Sequence, residues 1–265
     1  MKYAILGYST INIGDDIQSY ITTTLVEINY IIMRDDYEKV YDFEGKKVEL
    51  NEKVKLIMNG WFMHNPDWKT GNNNIKFPIK NKNIIPVYIS TCLSKDVPLL
   101  YTDECIKEYK KYQPVLCRDK TTLEKLKQKG VEVEFYGCLT QLLDISKLPE
   151  NEEYRNKYQN SIIYIDCPKE YSKKNKKEKT FFFEHYIKDI VNKNPRERID
   201  YAKDLLTKYK YAKKIYTHRL HAFLPCRAMG LDVIYTGDMN YRVKDLVTTN
   251  PDKENLKNKF FKSIN

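Results

Sequence analysis

The chain has 265 residues, which is long enough for two compact units of about 100–150 residues each. Its hydrophobic content of 42% excludes a disordered chain. No apolar run reaches the roughly 18 residues of a membrane span, and we expect that the apolar start is too short for a secretion signal. The net charge of +10 comes mostly from lysines scattered along the chain without a nucleic-acid-binding motif, so we expect a soluble, cytoplasmic protein with no nucleic-acid partner and no membrane span.

The first half of the sequence alternates short apolar runs with helical patterns. Strands are predicted over residues 2–7, 53–59 and 84–90, and a helix over residues 14–26, whose first turn carries Asp15 and Asp16. Two further helices, over residues 103–111 and 119–129, alternate with strands over 114–117 and 131–136. This order is typical of an α/β domain with a parallel sheet.

The alternation resumes after a charged, proline-containing loop that is predicted over residues 144–158. The predicted elements are a strand over 161–167, helices over 181–191 and 198–209, a strand over 213–217, a helix over 218–229 and a strand over 231–235. We therefore expect two Rossmann-like α/β domains, residues 1–152 and 158–265, which face each other across a cleft.

The six cysteines are spread along the chain without a Cys-x-x-Cys pair. Several of them end predicted strands, where a free cysteine behaves as a small buried hydrophobic residue. This spacing argues against a zinc ribbon and against a disulfide scaffold, so reduced thiols are expected.

The turn at residues 217–221 is the most informative segment, because it joins a predicted strand to a predicted helix. Unpaired N–H groups at a helix start attract anions, and Arg219 adds a cation that can bind a phosphate or carboxylate bidentately. In a parallel sheet this turn lies at the carboxyl edge of the strands, where ligands of α/β folds bind. The alternative interpretation is that the arginine and the two histidines of this turn form an ordinary N-terminal helix surface. His218 and His221 share a helical face as two metal ligands would, but no Cys or carboxylate stands at ligand spacing, so no metal site is predicted.

Four segments of the sequence together resemble the polysaccharide pyruvyl transferase family. They are residues 7–15 with Asn12, Gly14 and Asp15, residues 59–62 with Asn59 and Gly60, residues 117–119 with Arg118, and residues 217–221 with Arg219, Leu220 and His221. The resemblance extends over about residues 4–246 and implies a GT-B-like architecture. The alternating pattern of strands and helices agrees with it.

The resemblance implies transfer of a pyruvyl group from phosphoenolpyruvate to two hydroxyls of a sugar in a polysaccharide or glycan, as a cyclic ketal. It assigns donor binding to Arg118, Arg219 and Leu220 and catalysis to His221. The donor carries a phosphate and a carboxylate, which two arginines can hold. Phosphoenolpyruvate and a saccharide acceptor are the expected partners, and no further cofactor is expected. The need for a divalent ion and the oligomeric state stay open.

The reaction suggests roles for the remaining residues. His221 is expected to protonate the methylene carbon of the donor, and either Asp15 or His218 to accept the proton of the attacking hydroxyl. On the acceptor side, in the N-terminal domain, the residues expected to line the cleft are Asn12, Gly14, Asn59 and Gly60. Asp15 and Arg118 have structural roles as alternatives to these functional ones. Asp15 would stabilise the first turn of its helix, and Arg118 would pair with Asp119 at the surface.

Two other functions fit the same sequence pattern. A glycosyltransferase that uses a nucleotide sugar would share the paired α/β domains, because fold does not fix function. A catalytically inactive glycan-binding protein would retain the cleft and bind sugar without releasing phosphate. Trp61 and Phe62 are expected to fill the core rather than to stack on a sugar ring.

Overall fold

The computed structural model describes residues 1–63, 77–168, 170–171 and 177–265. Within these ranges the α-helices are α1 (Ile13–Thr23), α2 (Asp103–Lys111), α3 (Lys120–Gln128), α4 (Glu152–Tyr158), α5 (Pro195–Tyr209), α6 (Leu220–Ala228), α7 (Lys244–Thr248) and α8 (Lys253–Ile264). The strands are β1 (Lys2–Gly7), β2 (Tyr30–Met33), β3 (Asp36–Asp42), β4 (Lys47–Val48), β5 (Val54–Ile57), β6 (Trp61–Phe62), β7 (Ile84–Val87), β8 (Ile89–Leu93), β9 (Val115–Cys117), β10 (Val133–Phe135), β11 (Ile162–Ile165), β12 (Thr180–Phe183), β13 (Lys214–Thr217) and β14 (Val233–Tyr235). Short 3-10 helices lie at Pro98–Tyr101, Leu139–Leu142, Ile145–Lys147 and Lys188–Asn192.

The strands form three sheets. The first has the order β4-β3-β2-β1-β5-β7, the second β10-β9-β8-β6, and the third β12-β11-β13-β14. All pairs are parallel except β2 with β3 and β3 with β4, which are antiparallel. Strands β1 and β9 of the first half and β11 and β13 of the second half direct their carboxyl ends toward one cleft, and the predicted α/β fold class with parallel sheets is confirmed.

Helix α1 shows how the sequence builds the elements that carry the cleft. The side chain of Asn12 accepts a hydrogen bond from the backbone N–H of Gly14 and so caps the helix. Ile13, Ile17 and Ile21 recur at helical spacing, and all three are fully buried. The cap and the apolar face together fix the start of α1 at the end of the loop that follows β1.

Two predicted elements are wrong. Residues 181–191, predicted as a helix, form β12 and the 3-10 helix Lys188–Asn192 instead. The aromatic run of β12 suits a strand, because alternate side chains face opposite sides of the sheet: Phe181 and Phe183 pack on the core while Phe182 is exposed. The loop predicted over residues 144–158 contains α4, which Asn151 caps and whose first turn carries Glu152 and Glu153.

The two halves of the chain share a hydrophobic core. One cluster of buried side chains contains Ile17 from the first half, Leu205 from the second half and Phe260 from α8. Helix α8 contacts the first half directly, since the Tyr136 hydroxyl donates to the carbonyl of Leu256 at 3.1 Å. The division into residues 1–152 and 158–265 stays a prediction. No helix within the described ranges has the length and apolar character to cross a lipid bilayer.

Candidate active site

A cleft of about 370 Å³ lies at the carboxyl edge of the sheets. It brings together residues that are far apart in the sequence: the predicted Asn12, Asp15, Arg118, His218, Arg219, Leu220 and His221 all line it. Other hollows of about 600 and 500 Å³ contain none of these side chains. We take the smaller cleft as the candidate site because it alone of the three combines histidines with several arginines.

Two helix starts meet at this cleft. A Cβ atom on Gly14, in the first turn of α1, would lie 3.4 Å from the Cβ of His221, in the first turn of α6. The predicted site residue Gly14 therefore keeps the two helix N-termini close together. The first N–H groups of α1 are paired with Asn12 and with the carbonyl of His185, so the positive potential there comes from the helix dipoles, and it favours an anionic ligand.

Arg219 occupies the turn between β13 and α6. Its backbone N–H donates to the Thr217 hydroxyl at 2.9 Å, which fixes the turn. The Nε atom of Arg219 forms an ion pair with Asp166, and its guanidinium lies 3.9 Å from the centre of the Tyr186 ring. Asp166 and Tyr186 thus hold the guanidinium from two sides at the wall of the cleft.

Arg118 lies at the end of β9 and is only 2% exposed. Its Nη1 atom donates to the Gln18 side chain at 2.9 Å. The Nε atom of Arg118 is buried and has no hydrogen-bond partner among the described residues. An unpaired donor on a buried cation is costly unless a ligand supplies an acceptor.

The side chain of His221 is also incompletely satisfied. Its Nε2 atom is buried and has no hydrogen-bond partner within the described part of the chain. Burial lowers the pKa of His221 well below its usual range, and nearby Arg118, His185 and Arg242 lower it further. His221 is therefore a neutral imidazole near pH 7.

The two candidate bases have different surroundings. His218 is held by a 2.7 Å hydrogen bond between its Nδ1 atom and the Thr236 hydroxyl. Asp15 lies 3.7 Å from Nη1 of Arg34 and accepts a 3.3 Å hydrogen bond from Gln18. Burial raises the pKa of Asp15, which Arg34 and Arg118 partly offset, so its carboxylate is a stronger base than an exposed aspartate.

Asn59 and Gly60 do not line this cleft. The Asn59 amide donates to the backbone oxygen of Gln18 at 3.3 Å, and so ties β5 to α1. A Cβ atom on Gly60 would lie 3.0 Å from Leu6, inside the core. Phe62 is buried as expected, whereas Trp61 lines the cleft.

Sequence reasoning missed three charged residues that line the cleft, Asp166, Asp238 and Arg242. Asp166 directly follows the buried strand β11 and has a positive φ of 51°. Arg118 follows β9 in the same way, so a polar residue directly after a buried strand is a sequence feature that could have identified Asp166. Arg242 lies 3.8 Å above the Trp61 ring and adds a third arginine to the cleft. Arg34, buried beside Asp15, follows the strand β2, which was not predicted. No group of three metal-binding side chains stands together in the described ranges.

Comparison with known proteins identifies the family of the chain. Residues 12–235 match the sequence model of the polysaccharide pyruvyl transferase family, a range that includes every predicted site residue. The chain belongs to this family. Members are named for transfer of pyruvyl groups to polysaccharides, so a saccharide acceptor is consistent with the site.

Two further comparisons add little to the family assignment. Among curated protein sequences, no significant match to this chain is found. Among solved structures, it is similar to the UDP-GlcNAc 2-epimerase of Methanocaldococcus jannaschii in complex with UDP-GlcNAc and UDP. The two chains are 10% identical, the match covers 98% of this chain and 99% of the other, and the TM-score is 0.43, too low to support an argument about this protein.

Proposed function

We propose that this protein transfers the pyruvyl group of phosphoenolpyruvate to two hydroxyls of a saccharide and releases phosphate. The observation that carries the proposal is that Arg118, Arg219 and His221 meet in one cleft, where the N-terminal turns of α1 and α6 converge. Family membership supports pyruvyl transfer to a polysaccharide. The choice of phosphoenolpyruvate as donor rests on the charge of the cleft.

The charges of the cleft suit a small, doubly anionic molecule. Arg118 has an unpaired Nε donor, and Arg242 makes no ion pair among the described residues, so these two cations are available to a ligand. Arg219 is already paired with Asp166 but lines the same wall. Phosphoenolpyruvate, which carries a phosphate and a carboxylate on the same carbon, would occupy these arginines bidentately.

The proposed reaction balances as two additions to one carbon. A proton adds to the methylene carbon of the donor, so that the central carbon becomes electrophilic, and the first sugar hydroxyl adds there as it loses its proton. The bond to the phosphate oxygen then breaks, phosphate departs with the electron pair, and the second hydroxyl adds with loss of its proton. The products are one ketal and one inorganic phosphate.

The side chains of the cleft supply the proton transfers. His221 is neutral near pH 7, and a bound dianion beside it would raise its pKa, so we assign it to pick up a proton when the donor binds and deliver it to the methylene carbon. Asp15, whose pKa is raised by burial, and His218 are both placed to accept a proton from a hydroxyl. The arginines stabilise the departing phosphate.

The test is phosphate release from phosphoenolpyruvate in the presence of a panel of saccharides, with proton NMR to detect the new ketal methyl group. Arg219→Ala and His221→Ala should each lower kcat/KM by about 100-fold or more, because each removes a group that contacts the reacting anion. Arg155→Ala is the matched control, since Arg155 is exposed and pairs with Glu150 on the surface. Turnover of a nucleotide sugar without any use of phosphoenolpyruvate would contradict the proposal, as would full activity of both cleft variants.

A further inference from the structure

The ring of Tyr186 lies at the mouth of the cleft and is unusually open for an aromatic side chain. Tyr186 is 51% exposed, although it lines the same cleft as the arginines. One face of its ring is covered by the Arg219 guanidinium, 3.9 Å from the ring centre. The accessible part of the ring is therefore the opposite face and the outer edge.

The backbone holds Tyr186 beside Asn12. The two residues form an antiparallel bridge, flanked by hydrogen bonds from the Ile13 N–H to the carbonyl of His185 at 2.9 Å and from the Ile187 N–H to the carbonyl of Ile11 at 2.8 Å. These bonds lie on either side of the pair, so Asn12 and Tyr186 form a non-hydrogen-bonded pair, whose side chains stand close together on one face. Both side chains line the cleft, so that face is the cleft side.

Asn12 retains hydrogen-bonding capacity toward the cleft. Its Oδ1 atom accepts the bond that caps α1, from Gly14 N–H at 3.1 Å. Its Nδ2 group donates no hydrogen bond to any described residue and can donate to a ligand. The exposed carboxylate of Asp238 lines the same cleft and can accept bonds from hydroxyls.

This combination does not suit an anion. The face of an aromatic ring carries negative electrostatic potential, so it repels a phosphate or carboxylate and favours C–H groups and cations. A pyranose presents C–H groups on one face and hydroxyls around its edge, which match an aromatic face bordered by an amide and a carboxylate.

We propose that Tyr186 and Asn12 form the acceptor subsite, in which a hexopyranose lies with its C–H face on the Tyr186 ring and donates or accepts hydrogen bonds at Asn12 and Asp238. This rests on the proposed function for the identity of the second substrate. Arg219 lies directly behind the Tyr186 ring, so the acceptor and the donor bind on adjacent parts of one wall. The subsite joins one residue from each half of the chain through the bridge between positions 12 and 186.

Four variants test the subsite. Tyr186→Ala removes the ring, Tyr186→Phe keeps it, and Asn12→Asp keeps the capping oxygen of α1 while it removes the amide donor. Phe182→Ala is the control, because Phe182 is also exposed, at 54%, but lies on the edge strand β12 outside the cleft. At saturating phosphoenolpyruvate, Tyr186→Ala should raise the acceptor KM about tenfold and Asn12→Asp severalfold, with Tyr186→Phe and Phe182→Ala close to wild type.

Calorimetric titration with phosphoenolpyruvate separates this role from support of Arg219. The dissociation constant of the donor should change by less than about threefold in Tyr186→Ala, because Asp166 still holds Nε of Arg219. The subsite would be overturned if Tyr186→Ala left the acceptor KM unchanged, whether or not it raised the dissociation constant of phosphoenolpyruvate.

Saturation-transfer NMR with the methyl β-glycosides of glucose, galactose, mannose and N-acetylglucosamine needs no turnover. If the wild-type protein does not use phosphoenolpyruvate at all, the proposed function fails. The saturation-transfer measurement then decides by itself whether Tyr186 binds a saccharide. Saccharide signals that disappear in Tyr186→Ala and persist in Phe182→Ala would support it. Absent signals in wild type, or signals that both variants retain, would refute it.

Discussion

At the scale of single residues, the cleft is defined by polar atoms that the protein does not satisfy by itself. Nε of Arg118 and Nε2 of His221 are both buried without a hydrogen-bond partner among the described residues. Burial of an unpaired polar group reduces the free energy of unfolding by about 1–3 kcal/mol. Both side chains line the cleft, so we propose that they bind an anion there after a change of side-chain orientation that exposes these nitrogens.

The first prediction concerns the protonation of His221. Its pKa is lowered in the protein by burial and by neighbouring cations, and a bound dianion should raise it, so binding of phosphoenolpyruvate should be accompanied by proton uptake. Between these two pKa values the affinity for the donor should fall as the pH rises. Calorimetry in buffers of different ionisation enthalpy measures the uptake, and His221→Gln should lower it. Equal uptake in wild type and His221→Gln would show that the proton goes elsewhere.

The second prediction concerns the shape of the Arg219 side chain. Arg219→Lys keeps the charge but loses the planar group that pairs with Asp166 and stacks on Tyr186. The dissociation constant for phosphoenolpyruvate should therefore rise about tenfold or more, as measured by calorimetry. Arg155→Lys on the surface should leave it unchanged. A lysine that binds the donor as well as arginine would show that only the charge of this position matters.

At the scale of elements, the site is built from the turns that follow strands β1, β9, β11 and β13. The sequence predicted the turn after β13 correctly, because a strand pattern, a short polar motif and a helix pattern follow one another within residues 213–229. Arg118 was assigned through the family resemblance, and the structure places it directly after the short strand β9.

Other parts of the site left no such local pattern. The β12 segment has three consecutive phenylalanines, and periodicity does not distinguish a short apolar strand from a helix. Arg242 reaches the cleft from a loop after β14, and only the tertiary fold places it over Trp61. Asn59 resembles a site motif, but its contact with α1 makes it a structural residue in this fold.

The third prediction concerns the contact between α1 and α5. Asp16 and Arg198 form a buried ion pair at 2.7 Å, and Arg198 also donates to the carbonyl of Thr10. Removal of one partner leaves the other charge buried without compensation, so Asp16→Ala should lower the free energy of unfolding by about 3–5 kcal/mol. Chemical denaturation followed by circular dichroism measures the loss. Asp200→Ala removes an exposed pair with Arg196 and should cost about 1 kcal/mol or less. Similar losses in both variants would contradict a special role for the buried pair.

At the scale of the whole molecule, the two halves of the chain are connected by more than the segment between them. The bridge between Asn12 and Tyr186 joins the two halves beside the cleft, the Asp16–Arg198 pair joins α1 to α5, and α8 returns from the C-terminal end to pack against the first half. The proposed donor and acceptor contacts both depend on this arrangement, because neither half contains all the residues that line the cleft.

The fourth prediction follows from the position of α8. Phe260 is fully buried in the core shared by both halves, so Phe260→Ala should lower the free energy of unfolding by about 3–5 kcal/mol. Both tryptophans, Trp61 and Trp68, belong to the first half of the sequence, so their fluorescence follows unfolding at positions in that half, including the loss of the contact between Trp61 and Arg242. Because the core is shared, the denaturation midpoint seen by tryptophan fluorescence should fall together with the midpoint seen by circular dichroism.

Phe182→Ala, which truncates an exposed ring on β12, should shift neither midpoint appreciably. A fluorescence midpoint that stays at its wild-type value in Phe260→Ala, while the circular dichroism midpoint falls, would show that the first half is stable without the contribution of α8.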